Sequence, residues 1–121
     1  MRHAAQAYGR VASQTSNPRE LEADLLLKAA ARLQAASDSW GADHDRVDEA
    51  LLYNRKLWSV FLTSVTRPDN PLPELVRQNV ANLGMFVMNQ TLSLMAEPQR
   101  EKLAPLISIN REIAAGLLGR A

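Results

Sequence analysis

Val47-Asp48-Glu49-Ala50-Leu51-Leu52-Tyr53-Asn54-Arg55-Lys56-Leu57-Trp58-Ser59-Val60-Phe61 is the stretch that decides the fold class. Val47, Leu51, Trp58, Phe61 and, beyond it, Val65 recur at the three-and-four spacing of one helix face, with none of the alternation of a strand. An asparagine, Asn54, stands in the middle of that stripe. A buried amide without a hydrogen-bond partner costs on the order of 1–3 kcal/mol. The stripe must therefore meet others that both cover it and offer polar partners.

Three such stripes follow from the same periodicity. One carries Leu25, Leu26, Ala29, Leu33, Ala36 and Trp40 with Glu22 in its arc. The next carries Leu75, Val76, Leu83, Phe86, Val87 and Leu94 around Asn79 and Gln90. The last carries Leu103, Leu106, Ile109, Ile113 and Leu117 around Asn110. Asn54 and Asn110 occupy near-duplicate settings, Tyr53-Asn54-Arg55 and Ile109-Asn110-Arg111. We expect Glu22, Asn54, Asn79 and Asn110, with Arg55 and Arg111 as further partners, to form a structural polar layer that fixes helix register, as one buried Asn does in a coiled coil. A binding role for the same residues is the alternative.

Prolines and glycines divide the chain into helical pieces. A short first helix is expected over residues 4–14, with Ala4, Tyr8 and Val11 on one side; at that length it is marginal unless it docks. Asn17-Pro18-Arg19-Glu20 then gives a helix start, with a capping residue, a proline at the first position and an acid in the first turn. This helix should end near Ser39, before Gly41. Asp43 and Asp45 favour the start of the next, which Pro68 must stop. Pro68, Pro71 and Pro73 make a stiff connection to a helix running to about Met95. Pro98 can open the last helix, with Pro105 either kinking it or resetting its beginning. The expected architecture is all-α: a single-domain bundle of four main helices plus a short N-terminal one, spanning residues 1–121.

The helix near residues 73–95 has a second apolar arc, Met85, Met88, Leu92 and Met95, holding three of the chain's four methionines. A helix apolar nearly all round is ordinarily central in its fold. The functional alternative is a groove for a partner helix, because flexible thioethers repack around different side chains. Leu52, Tyr53 and Val60 form a weaker outer patch on the preceding helix.

Composition narrows function by exclusion. With 14 basic and 13 acidic side chains in 121 residues, the chain has no basic stripe for direct nucleic-acid contact. It has no cysteine, hence no disulfide or thiolate chemistry. His3 and His44 lack spaced metal-ligating partners, the serines lack a neighbouring base, and no phosphate-binding glycine loop occurs. No catalytic, cofactor or metal site is expected, nor a signal peptide or membrane insertion; the expected compartment is the cytoplasm.

Four blocks occur in order: Ser16-Asn17-Pro18-Arg19-Glu20-Leu21-Glu22-Ala23, Ala50-Leu51-Leu52-Tyr53-Asn54-Arg55-Lys56-Leu57-Trp58, Leu72-Pro73-Glu74-Leu75-Val76-Arg77-Gln78-Asn79, and Ile107-Ser108-Ile109-Asn110-Arg111-Glu112-Ile113-Ala114-Ala115-Gly116-Leu117. With these blocks the chain resembles the FlaF family of flagellar biosynthesis regulators over most of its length. The resemblance implies a small cytoplasmic protein needed for flagellin production or export, acting with the regulator FlbT. It further implies a chaperone that masks amphipathic flagellin segments on the type III export route. On that reading, Met85, Met88, Leu92 and Met95, with Leu52 and Val60, form part of the flagellin-binding surface. A post-transcriptional regulator working through FlbT and a homodimeric adaptor are the alternatives.

Overall fold

The computed structural model describes residues 17–120, so the short helix expected over residues 4–14 lies outside the described part. Within it, four α-helices follow one another: α1 (Pro18–Asp38), α2 (His44–Val65), α3 (Glu74–Ala96) and α4 (Leu103–Leu117). A single 3-10 turn, Arg100–Lys102, precedes α4. There is no strand among the described residues.

The helix ends follow the local chemistry. Asn17 caps α1 by accepting from the Glu20 amide at 3.3 Å, with Pro18 at the first helical position. Asp43 caps α2 by accepting from the amides of Asp45 and Arg46 at 3.1 and 3.3 Å, which satisfies two of the donors a helix start leaves open. The turn between them passes through Gly41 at φ 87°, a conformation glycine adopts without a Cβ penalty. After Val65 the connection to α3 is tied down by Asn70, which donates to the Ser64 carbonyl at 3.0 Å and accepts from the Leu72 amide at 3.0 Å. Pro105 is the third residue of α4, in the first turn, where an amide has no intrahelical acceptor to lose. Of the two readings open for it, the proline resets the start rather than kinking the helix.

One continuous core joins all four helices. The most extensive interface is α1 against α4, followed by α2 against α3 and then α1 against α2; α3 touches α4 only sparsely. The buried face of α1 explains the first of these, since four of its six buried residues are alanines: Ala23, Ala29, Ala30 and Ala36. Short side chains let the axes approach, and Leu103, Leu106 and Ile107 of α4 fill the space. At roughly 25 cal/mol per Å² of apolar surface, this interlocking is the main term opposing chain entropy. Arg32 of α1 lies over the Tyr53 ring of α2, 4.3 Å from its centroid, adding a cation–π contact at the rim.

Helix α3 is not central, contrary to what its all-round apolar sequence suggests. Its buried residues are Gly84, Val87, Thr91 and Leu94, which fall in an arc of about 80° at ~100° per residue. Val87 and Leu94 stand at one edge of the first apolar arc of the sequence, so the packed face overlaps that edge, and its middle lies about 80–100° from Asn79 and Gln90 at that arc's centre. Gly84 sets the placement: a Cβ there would come within 2.8 Å of Leu62 Cγ and overlap the Leu62 Cδ2 methyl. With any other residue at position 84, the Leu62 side chain would have to shift for α3 to keep this approach to α2.

Candidate functional site

The polar residues expected to form a layer divide into two groups. Asn54 and Asn110 are fully buried and meet across the core, where Asn110 Nδ2 donates to Asn54 Oδ1 at 2.6 Å. A third member, absent from the sequence expectation, completes the set: Trp58 Nε1 donates to Asn110 Oδ1 at 2.8 Å. An indole N–H is a donor only, so it fixes the direction of the chain of bonds. Asn110 must turn its oxygen to Trp58 and its amide to Asn54. Asn54 must then accept and turn its own Nδ2 the other way, and that buried atom finds no acceptor among the described residues. The signal for Trp58 was present in the sequence, one helical turn after Asn54, in the only polar-tipped aromatic of that stripe.

Asn79 does not join them. It is exposed on the first half of α3, because the packed arc of that helix lies about 100° away from it and only residues from Gly84 onward are buried. Glu22 and Arg55 are half-buried, and Arg111 is exposed. Arg111 lines a shallow depression of about 580 Å³ between α1 and α4, together with Arg100, Glu101 and Glu112. Charges of both signs alternate there, so no single-sign field builds up. The buried layer is thus Asn54, Asn110 and Trp58, and the other four polar candidates lie outside it.

The apolar surface of α3 is the second feature. Eight large hydrophobic residues are exposed among the described residues, and six of them, Leu75, Val76, Met85, Phe86, Leu92 and Met95, belong to α3. Leu75 is 73% exposed, Met85 56%, Leu92 53% and Phe86 44%. Met85 and Leu92 lie about 120–140° from the middle of the packed arc on one side, and Leu75 and Phe86 the same distance on the other. Between these strips runs a polar ridge of exposed Gln78, Asn82, Asn89 and Ser93. The Leu75 and Phe86 strip had been read from sequence as core.

Within the expected partner surface, Met85, Leu92 and Met95 are exposed, whereas Met88 is half-buried and packs on the core. Its azimuth, about 80° from the middle of the packed arc, brings it down onto the body of the protein. Leu52 is exposed and lies about 80° around α2 from Leu62, the residue beneath Gly84. Val60 is half-buried and lies about 160° around α2 from Leu62, on the side away from α3. The structure does not gather Val60 with the methionines.

Among the described residues, no group of three or more His, Cys, Asp or Glu could hold a metal ion, and no helix is long and apolar enough to cross a membrane. A second cavity, about 340 Å³, opens at the end of the bundle where α1 begins. Its apolar lining includes Leu26, Val65, Leu72, Val80, Ile113 and Leu117, with Glu22 and Arg19 as its ionic members.

In comparisons with known proteins, the family model described as flagellar protein FlaF matches residues 4–117. No curated protein and no solved structure matches the chain.

Proposed function

The chain belongs to the FlaF family of flagellar proteins, and from that premise we propose that it is a flagellin-binding export chaperone whose α3 receives an amphipathic flagellin helix. The observation that carries the reading is the concentration of exposed large hydrophobics on one helix, six of eight among the described residues. Two exposed apolar strips gathered on one helix are less readily explained as incidental exposure than scattered single residues are.

Met85, Leu92 and Met95 recur at i, i+7 and i+10 along one side of α3. An amphipathic partner helix presents its own anchors at the same repeat, so the two can run alongside each other with apolar side chains interleaved. Two thioethers in that strip tolerate imperfect register, which suits a partner that must be released for export. The polar ridge of Gln78, Asn82, Asn89 and Ser93 keeps α3 hydrated when no partner is bound. Leu52 is the candidate extension onto α2; Met88 and Val60 drop out of the surface because of where they point.

The test is titration of the full-length chain with purified flagellin by isothermal calorimetry, comparing wild type with Met85→Glu and Leu92→Glu. A carboxylate placed in an apolar contact must be desolvated on binding. Each substitution should weaken binding by at least roughly tenfold, about 1.4 kcal/mol, with thermal stability unchanged. Undiminished affinity in both variants would remove α3 as the flagellin surface. Binding to FlbT and none to flagellin in the wild type would favour the regulator acting through FlbT.

A further inference from the structure

We infer that the cavity at the end of the bundle is the docking site of the chain's own N-terminal segment, with Tyr8 as the side chain that enters it. This inference is independent of the flagellin reading, because it concerns a different face from α3's outer strips.

Three observations carry it. First is position. Pro18 and Arg19, the opening residues of α1, are themselves part of the cavity wall, and sixteen residues precede Asn17 in the chain. The segment therefore leaves the described structure at the mouth of the cavity. A tether of nine residues between Tyr8 and Pro18 gives the aromatic ring an effective concentration on the order of millimolar at a site within its reach. A free partner must be supplied at that concentration to compete.

Size is the second. About 340 Å³ holds one or two large side chains, whereas a whole partner helix, roughly 10 Å across, does not fit. Tyr8 is the only aromatic among residues 1–16, with Ala4 and Val11 at helical spacing on either side of it. A phenol suits a site of this kind. Its ring lies against apolar walls such as Leu26, Val65 and Leu117, and its hydroxyl reaches the polar mouth at Ser64 and Asn70.

The third is charge. Residues 1–16 contain Arg2 and Arg10 and no acid. Of the two ionic residues in the cavity wall, Arg19 repels such a segment, while Glu22, half-buried one turn into α1, attracts it.

The absence of cysteine makes the test direct, because Gln6→Cys gives a single attachment point for a nitroxide in the full-length chain. Methyl signals of Leu26, Val65, Leu72 and Leu117 should broaden severalfold more than those of Leu92 on α3. Adding Tyr8→Ser to the labelled chain should abolish the difference, which separates docking from the mere proximity of a tether. Uniform weak broadening, or broadening centred on Leu75 or Leu92, would overturn the inference. So would broadening that survives Tyr8→Ser. Broadening seen only between spin-labelled and isotope-labelled chains in a mixture would also overturn it, in favour of exchange with a second copy.

Discussion

Phe61 and Phe86 are the chain's only phenylalanines, and they lie on α2 and α3, helices that pack against each other, yet they inhabit opposite surroundings. Phe61 is 8% exposed and meets Trp58 edge-on, with ring centroids 5.8 Å apart and planes at 84°. Phe86 is 44% exposed and takes part in none of the ring contacts among the described residues. The difference is not one of composition, since α3 is the richer of the two in apolar residues. Around Phe61 the helices close on one another, and the buried Asn54 and Asn110 are bonded to each other and to Trp58. Around Phe86 a single narrow arc holds the helix down and the remaining apolar surface faces outward. Stability resides in the first region and recognition is proposed for the second. Substitutions should separate the two.

The largest effect is expected at Asn110→Leu. The substitution strands the donor-only Trp58 Nε1 and the Asn54 Oδ1 in a fully buried setting. Each orphaned group costs about 1–3 kcal/mol, partly offset by the added apolar contact, so urea unfolding should show a loss of about 2–4 kcal/mol. Adding Asn54→Leu removes one of the two orphans and should recover part of that loss. An Asn110→Leu protein as stable as wild type would mean that the buried amides contribute nothing the core needs.

Gly84→Val probes the boundary between the regions. The new side chain collides with Leu62, and overpacking of this kind typically costs 1–3 kcal/mol; the better helix propensity of valine offsets only a few tenths. The loss should be local. Amide exchange should quicken in α3 while α1 and α4, which make the most extensive interface, keep their protection. Exchange that quickens equally in all four helices would show that α3 and the core unfold as one unit, and that the contrast drawn from the phenylalanines is only one of exposure.

The same contrast explains what was legible in the sequence. Helix types, the cap at Asn17, the helix start at Asp43, and the burial of Asn54 and Asn110 could all be read, because each depends on local chemistry or on a single unambiguous stripe. The face that α3 turns inward could not. With apolar residues nearly all round, periodicity offers two neighbouring arcs, and the packed arc proved to straddle the edge of the first, taking Val87 and Leu94 from it and leaving its centre outside. The deciding residue was Gly84, whose signal is the lack of a side chain rather than an apolar one. Asn79 was misplaced for the same reason, standing at the centre of an arc of which the Val87 and Leu94 edge turned inward. Trp58 was overlooked as a polar partner because its size marks it first as a core residue.

The smallest stability effect is expected at Phe86→Ala, and it is the sharpest test of the contrast. Removing a phenylalanine from a closed core costs about 3–5 kcal/mol, through lost transfer energy and the cavity left behind. Neither term has its full value at Phe86, because the ring is already 44% exposed and no enclosed space remains after it is removed. Alanine also has the higher helix propensity, by about half a kcal/mol, which further offsets the loss. The urea midpoint should therefore correspond to a change below about 1 kcal/mol, with an unchanged slope. A loss above 2 kcal/mol would mean that the ring is covered in solution, and the outer surface of α3 would then be part of the structure rather than available to a partner.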